Sequence, residues 1–257
     1  MKTGIVILSF IGLITLFGII LPLDYNEMDS ANRFRAPSLS SPFGTDNFGR
    51  DVFIRVMVGA GHTLLTALLT VTGSAILGCT IGLISGYAIG IIDEVIMRLM
   101  DTLSSFPGIL LALVLVSLLG NSGGTLIFAL LILFIPGFTR IMRNGMLQYR
   151  EKDFILLARI QGVPRYRIIF IHILPNLFTP LLSASVLGLS NAILAESTMS
   201  YLGLGLQPPI PSWGRMLSES QGFLINAPWC ALAPGFMIML TVLGFHFLGE
   251  GLKERAD

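Results

Sequence analysis

Between Arg55 and Asp93, and again from Thr102 to Thr139, the chain carries no Asp, Glu, Lys or Arg. Such runs have no place on a water-facing surface, because a soluble protein distributes charge along its whole length at roughly 25% of residues. Here the charged share is 12% and the hydrophobic share 53% of 257 residues. A soluble enzyme and a disordered chain are excluded on that balance. A formal net charge of +1 excludes a nucleic-acid binder. Cys79 and Cys230 both lie in apolar runs, which points to neither a disulfide framework nor a metal cluster. Strand-like alternation is absent, so the expected fold class is an all-α membrane protein rather than a barrel.

A helix crosses roughly 30 Å of hydrocarbon at about 1.5 Å per residue, so a span needs about 20 mostly apolar residues. Six segments qualify. They run from Gly4 to Leu23, from Thr63 to Gly90, as two helices within Thr102–Thr139 parted by the turn Asn121-Ser-Gly-Gly124, from Leu177 to Ala195 and from Trp229 to Leu248. The first is too long for a signal-peptide core and is expected to stay as an anchor. Counting basic residues with the N-terminus inside places Lys2, Arg98, the seven between Arg140 and Arg167, Lys253 and Arg255 in the cytoplasm. Only Arg33, Arg35, Arg50, Arg55 and Arg215 then lie outside, which predicts that both termini are cytoplasmic. Trp213 and Trp229 bracket the last outer loop as expected interfacial indoles. The resulting map has an N-terminal transmembrane helix (1–23), an extracytoplasmic segment with an amphipathic helix (24–60) and a five-helix core (61–257). That core carries a cytoplasmic loop (140–176) and an extracytoplasmic loop (199–228).

The cytoplasmic loop is the most patterned part of the sequence. A helix leaves the fourth span through Arg140–Arg150, and an amphipathic helix then runs to Gly162. Val163-Pro164 opens a second short helix that Leu174-Pro175-Asn176 closes. Glycine followed by proline is a stop and restart signal, so two short helices should meet at a compact corner, fit either to line the lipid boundary or to dock into a soluble partner. Elsewhere Gly78, Gly82, Gly86 and Gly90 stand four apart, a spacing that lets helix backbones approach. Arg98 can pair with Glu94 or Asp101 on one helix face. Glu196, near the end of the fifth span, needs a polar partner. His62, His172 and His246 fall at different depths and make no metal site.

Ala158-Arg-Ile-Gln-Gly162, with Arg165 and the downstream Leu174-Pro175, resembles the ATPase-coupling loop of ATP-binding-cassette importer permeases. The family's signature is Glu-Ala-Ala, three residues and Gly; this chain has Leu156 and Leu157 at the first two places. Gly44-Thr-Asp46, Gly49-Arg-Asp51 and Gly203-Leu-Gly205 with Trp213 resemble the outer motifs of one branch, the second permease subunit of dipeptide, oligopeptide and nickel importers. Asp101–Pro107 fits the same branch. The resemblance implies a type I importer permease, with a methionine-importer-like core of five helices plus an N-terminal helix. It implies a coupling role for Ala158, Arg159, Gly162, Val163, Pro164, Arg165 and Pro175. The implied partners are a homologous second permease, two ATP-binding subunits and an extracytoplasmic solute-binding protein, in the lipid of a prokaryotic cell membrane. ATP and magnesium would be held by the ATPase subunits, leaving no cofactor, metal or catalytic residue to this chain. The cargo would be a short peptide, nickel or a metal chelate.

Two other functions compete. An ion-coupled carrier or channel predicts repeated halves or charges at mid-membrane, and neither is visible. An intramembrane serine protease would use Ser85 in Gly82-Leu-Ile-Ser85-Gly86, but no His shares its depth. No Gly-x-x-x-x-Gly-Lys-Ser/Thr phosphate loop occurs, so an ATP-driven reading needs partner subunits. Uptake that halts on ATP depletion is the expected outcome for the importer; a channel or ion-coupled carrier would continue for a time.

Overall fold

The computed structural model describes residues 1–21, 24–88 and 90–254. The expectations that rest on Leu23 and Arg255 lie outside those residues. Among the described residues the chain is helical with one isolated bridge, between Thr45 and Asp51. Five helices among the described residues are long and apolar enough to cross a membrane, and a bent pair counts as a sixth crossing if it is one broken span. The fold class expected from the sequence is the one observed.

Helix α1 (Lys2–Ile20) packs antiparallel against α2 (Val52–Ala88) and the C-terminal helix α10 (Trp229–Lys253). The contacts are backbone-close, since a Cβ on Gly4 would sit 2.7 Å from the Gly244 carbonyl and one on Gly18 2.6 Å from that of Met57. Helix α2 is 37 residues long and fuses the expected amphipathic segment to the second span. Nothing interrupts it after Asp51, whose carboxylate accepts from the backbone N–H of Phe53 and Ile54 and starts the helix.

The third span is not one helix. Helices α3 (Ile91–Ser105) and α4 (Gly108–Leu119) meet at 89°. Phe106 precedes a proline and is extended, as proline sterics require, and Pro107 has no N–H to continue the ladder. At about 18 Å, α4 cannot cross the hydrocarbon unaided. On α3, Arg98 pairs with Glu94 at 2.7 Å, whereas Asp101 pairs instead with Arg140 of α5 (Gly123–Arg150) at 2.8 Å.

Helices α2 and α5 make the most extensive contact in the molecule. Gly78, Gly82 and Gly86 face it in turn, against Phe138, Met142 and Met146. Gly90 does not join them. It has a positive φ of 81° and open space around it, and it starts α3 rather than packing α2.

After α5 come α6 (Asp153–Ile160) and the short α7 (Arg165–Arg167). A wider π turn over Ile168–Ile173 then feeds α8 (Leu174–Tyr201) without a stop. Leu174-Pro175-Asn176 therefore closes nothing. The wide turn tolerates the missing proline N–H, and Asn176 Nδ2 donates to the His172 carbonyl at 2.5 Å. On the way to α10, α9 (Trp213–Ser220) is capped by Ser212. Trp213 is not interfacial; it is fully buried, and its Nε1 donates to the Val56 carbonyl at 3.0 Å.

These helices define two poles. One gathers the starts of α2 and α10 with α9; the other gathers the start of α1, the ends of α10 and α2 and the corner at Gly162. Replacing Gly82 by Leu should cost about 1–3 kcal/mol by overpacking the α2–α5 contact. Gly12→Ala, where the added Cβ meets nothing within 4 Å, should stay within about 0.5 kcal/mol. Thermal unfolding in detergent micelles compares the two.

Candidate functional site

The Gly162 corner is built from its backbone. Helix α6 ends in a Schellman arrangement, with the Val163 N–H donating to the Ala158 carbonyl and the Gly162 N–H to that of Arg159, both at 3.0 Å. That closure needs a left-handed residue, and Gly162 has φ +76°. Pro164, fixed near φ −65°, then accepts from Arg167 and Ile168 N–H and restarts the helix. The corner is pinned to the bundle by a buried cluster of Ile155, Ile168, Ile169 and Ile173 with Met142 and Met146, against which Ala158 and Val163 are half-buried. This pole lies where helices end, so apolar burial from water stabilises it, at about 1.5–3 kcal/mol for a side chain such as Ile155.

The structure thus brings Ala158, Arg159, Gly162, Val163, Pro164 and Arg165 together. Pro175 stands apart, in the first turn of α8 beyond the π turn. The outer side of the corner is apolar: Leu156, Leu157, Ile160 and Tyr166 are exposed, Ile160 at 82%. An exposed cluster of that kind at the end of two long helices is fit for a protein partner.

The opposite pole is held by charge. Asp46 Oδ1 accepts from the backbone N–H of Phe48 and Arg50, and its Oδ2 accepts from Arg50 Nε at 2.6 Å. Glu219 of α9 then accepts from Arg50, Arg55 and Arg215 at 3.3, 3.0 and 3.2 Å. Arg55 is 2% exposed, so this network ties the Gly44–Asp51 segment, α2 and α9 into one unit. Gly44 and Gly49 both have positive φ, and a Cβ on Gly44 would strike the Trp229 indole and the Arg35 carbonyl at 2.7 Å. Thr45 bridges to Asp51, and its carbonyl accepts from Trp229 Nε1 at 3.1 Å. Gly203 and Gly205 lie in a separate turn, where the Gly203 carbonyl accepts from Asn121 Nδ2. A Cβ on Gly205 would collide with Ser200.

Glu196 is fully buried and accepts from Ser200 Oγ at 2.6 Å and Ser197 Oγ at 3.4 Å, with the Thr63 and Ser212 hydroxyls around it. It joins α8 to α2 and the start of α9. No group of His, Cys, Asp or Glu suited to a metal ion occurs among the described residues.

Two residues that matter escaped the sequence reading. Glu219 looked like one acid in a short helix, and only the fold brings three arginines to it. Asp93 is clamped by Arg143 through two hydrogen bonds of 2.6 Å and accepts from Ser85 Oγ, locking α3 to α5 and α2. Its acidic neighbours Glu94 and Asp101 stand four and three residues from Arg98 and carry a pairing signal; Asp93 shows none.

Proteins of similar sequence and of similar fold are known. Residues 78–256 match the family described as "Binding-protein-dependent transport system inner membrane component". The chain is 45% identical over 255 residues to the dipeptide transport system permease protein DppC of Alkalihalophilus pseudofirmus, covering 99% of this chain and 84% of that protein. It is 35% identical over 257 residues to the glutathione transport system permease protein GsiD of Pectobacterium atrosepticum, covering 99% and 85%. Among solved structures, a chain of the MetNI methionine ABC transporter in an inward-facing conformation superposes with a TM-score of 0.63 at 17% identity, over 79% of this chain and 96% of that one. That last likeness is one of fold.

Removing one partner from a buried charge network costs about 3–5 kcal/mol. Glu219→Ala should therefore lower the thermal midpoint markedly, because Arg50 and Arg55 lose an acceptor in a buried site. Glu94→Gln breaks only an exposed pair and should cost less than about 1 kcal/mol. Unfolding of the two variants side by side checks the ordering.

Proposed function

This chain belongs to the family of inner membrane components of binding-protein-dependent transport systems and is a permease subunit of an ATP-binding-cassette importer; from that premise we propose that it forms one half of a translocation pathway for short peptides. Membership implies ATPase and substrate-binding partners. We read the assembly as this chain, a homologous second permease, two ATPase subunits that hold ATP and magnesium, and an extracytoplasmic binding protein. Short peptides are proposed as cargo because the relatives named above transport a dipeptide and glutathione. The basic-residue count favours a cytoplasmic Gly162 pole, with both termini on that side.

The observation that carries this reading is the Gly162 corner, with its exposed Leu157, Ile160 and Tyr166, standing between two spanning helices. A soluble ATPase seated on that patch would push α6 and α7 together, since the corner bends at one glycine and is otherwise hydrogen-bonded. Displacement would pass backward into α5 and forward through the π turn into α8. Helix α2 would follow α5, because three glycines hold the two backbones in contact. The pole bound by Glu219 resists such movement, so the outer segment would stay a fixed rim while the long helices tilt. ATP-driven closure of the partners then biases a two-state equilibrium by their differential affinity for the two arrangements.

The test is a complex reconstituted in vesicles with all partners, in which ligand-loaded binding protein should stimulate ATP hydrolysis and ATP should drive uptake. Gly162→Val forces a β-branched residue into the left-handed region, at about 1–2 kcal/mol or more, and Pro164→Leu frees the restart of the helix. Both variants should assemble and hydrolyse ATP, yet take up cargo roughly tenfold more slowly, the factor that about 1.4 kcal/mol sets. Uptake at the wild-type rate by these variants refutes the coupling role.

A further inference from the structure

A cleft of about 330 Å³ opens where the ends of α2 and α5 meet the inner side of the Gly162 corner. Three arginines converge on it from separate elements: Arg150 from the end of α5, Arg159 from α6 and Arg165 from α7. The Arg165 guanidinium lies beside the Tyr87 phenol on α2. None of the three arginines makes an ion pair among the described residues, in contrast to Arg50, Arg55, Arg98, Arg140, Arg143 and Arg215. Beneath them the wall is apolar, formed by Met146, Ile168, Ile169 and Ile173, all buried. The exposed Leu157, Ile160 and Tyr166 do not line the cleft, so the corner has a basic inner side and an apolar outer side.

We propose that this cleft is a binding site for the headgroup of an anionic phospholipid. Three unpaired cations in one small volume call for an anion, and arginine forks match phosphate oxygens in pairs. The apolar wall offers nothing to inorganic phosphate but accepts the glycerol and first acyl carbons of a lipid. The cleft sits where α2 ends at Ala88 and α5 ends at Arg150, on the pole that the basic-residue count assigns to the anionic cytoplasmic leaflet. A single carboxylate reaching in from a protein partner would leave most of the volume unfilled. A lipid held there bridges α2, α5 and the corner, and so couples the leaflet to the element proposed to move. The site shares Arg159 and Arg165 with the proposed coupling corner, but lipid binding needs only the membrane, so its failure would leave the transport reading standing.

The test uses the full chain in uncharged detergent micelles, with bound lipid counted by native mass spectrometry. Phosphatidylglycerol should be retained in preference to phosphatidylcholine of the same acyl chains. Each surface arginine near anionic lipid contributes roughly a fivefold factor in affinity, so Arg150→Gln, Arg159→Gln and Arg165→Gln together should abolish the preference. Arg33→Gln with Arg98→Gln, outside the cleft, should leave it intact. A photoactivatable phosphatidylglycerol on the unaltered chain should label the segments around Met146 and Ile168–Ile173, which needs no variant to fold. Binding of glycerol 3-phosphate as tightly as the lipid would show a free-phosphate site and overturn the proposal. So would labelling elsewhere, equal retention of phosphatidylcholine, or release of the bound lipid when the ATPase partners assemble and supply carboxylates to the cleft.

Discussion

Hydrocarbon offers no hydrogen bond to a free N–H or C=O, so a chain that crosses it can depart from regular helix only where it supplies its own replacement partners. Three departures among the described residues meet that condition, and a fourth, at Phe106-Pro107, falls at a proline with no N–H to satisfy. The 89° break at Phe106-Pro107 joins an amphipathic helix that can lie along a boundary to one that enters the bundle. The Gly162 corner returns its carbonyls to Val163 and Gly162 N–H. The π turn before Pro175 is backed by the Asn176 amide. The Gly44–Asp51 segment, whose backbone is the least regular, is closed by Asp46, Asp51 and Trp229. Apart from the Phe106-Pro107 break, which lies against the middle of α5, these irregular elements stand at the two poles, and the poles are where partners can be met.

Between the poles the helices cannot rely on the hydrophobic effect, because lipid tails are as apolar as leucine. Contact there is made by removing side chains, as at Gly4, Gly18, Gly78, Gly82 and Gly86, so that dispersion acts between backbones. At the Gly162 pole the balance changes. Ile155 and its neighbours are buried against helix ends from an aqueous side, and the corner is attached by apolar area instead of glycine contact. At the other pole the attachment is ionic, between the half-buried Glu219 and the buried Arg50 and Arg55. Three physical means thus hold the molecule together: ion pairs at one pole, close backbone contact in the bundle and apolar burial at the Gly162 pole.

The features legible in the sequence are those whose cause is local. Charge-free runs mark spans because the cost of a charge depends on depth alone. Gly162 and Pro164 mark a corner because φ at each is dictated by its own covalent structure. The break at Pro107 carried the same kind of signal, but apolar residues on either side masked it within one long run. Proline in Leu174-Pro175 gave the reverse error, since a π turn three-dimensionally accommodates what the linear pattern reads as a stop. Gly90 shared a spacing with Gly78, Gly82 and Gly86 but lies past the end of the helix that gives the spacing meaning. Trp213 was assigned to an interface by type, whereas Val56 and Thr63, far away in sequence, bury it. Glu219 and Asp93 depend wholly on residues brought in by folding, so no window of sequence could single them out.

The basic residues show why counting alone gives a weaker case for sidedness than their structural roles do. Five arginines on the pole assigned to the outside run against the bias that sets topology. Each of them is bound locally: Arg33 donates to the Asn47 carbonyl at 2.5 Å, Arg35 to Asn32 Oδ1 at 3.1 Å, and Arg50, Arg55 and Arg215 to Glu219. Their presence there is explained by the fold of that segment: Arg50, Arg55 and Arg215 surround the half-buried Glu219, and Arg33 and Arg35 bind the loop at Asn47 and Asn32. At the Gly162 pole Arg150, Arg159 and Arg165 make no ion pair among the described residues, Arg165 having only the Tyr87 phenol beside it, and their charge is left for something outside the chain. An anionic leaflet or an acidic partner both lie on the side toward which free basic residues orient a membrane protein. The orientation proposed above thus rests on which arginines remain unspent after folding as much as on how many there are.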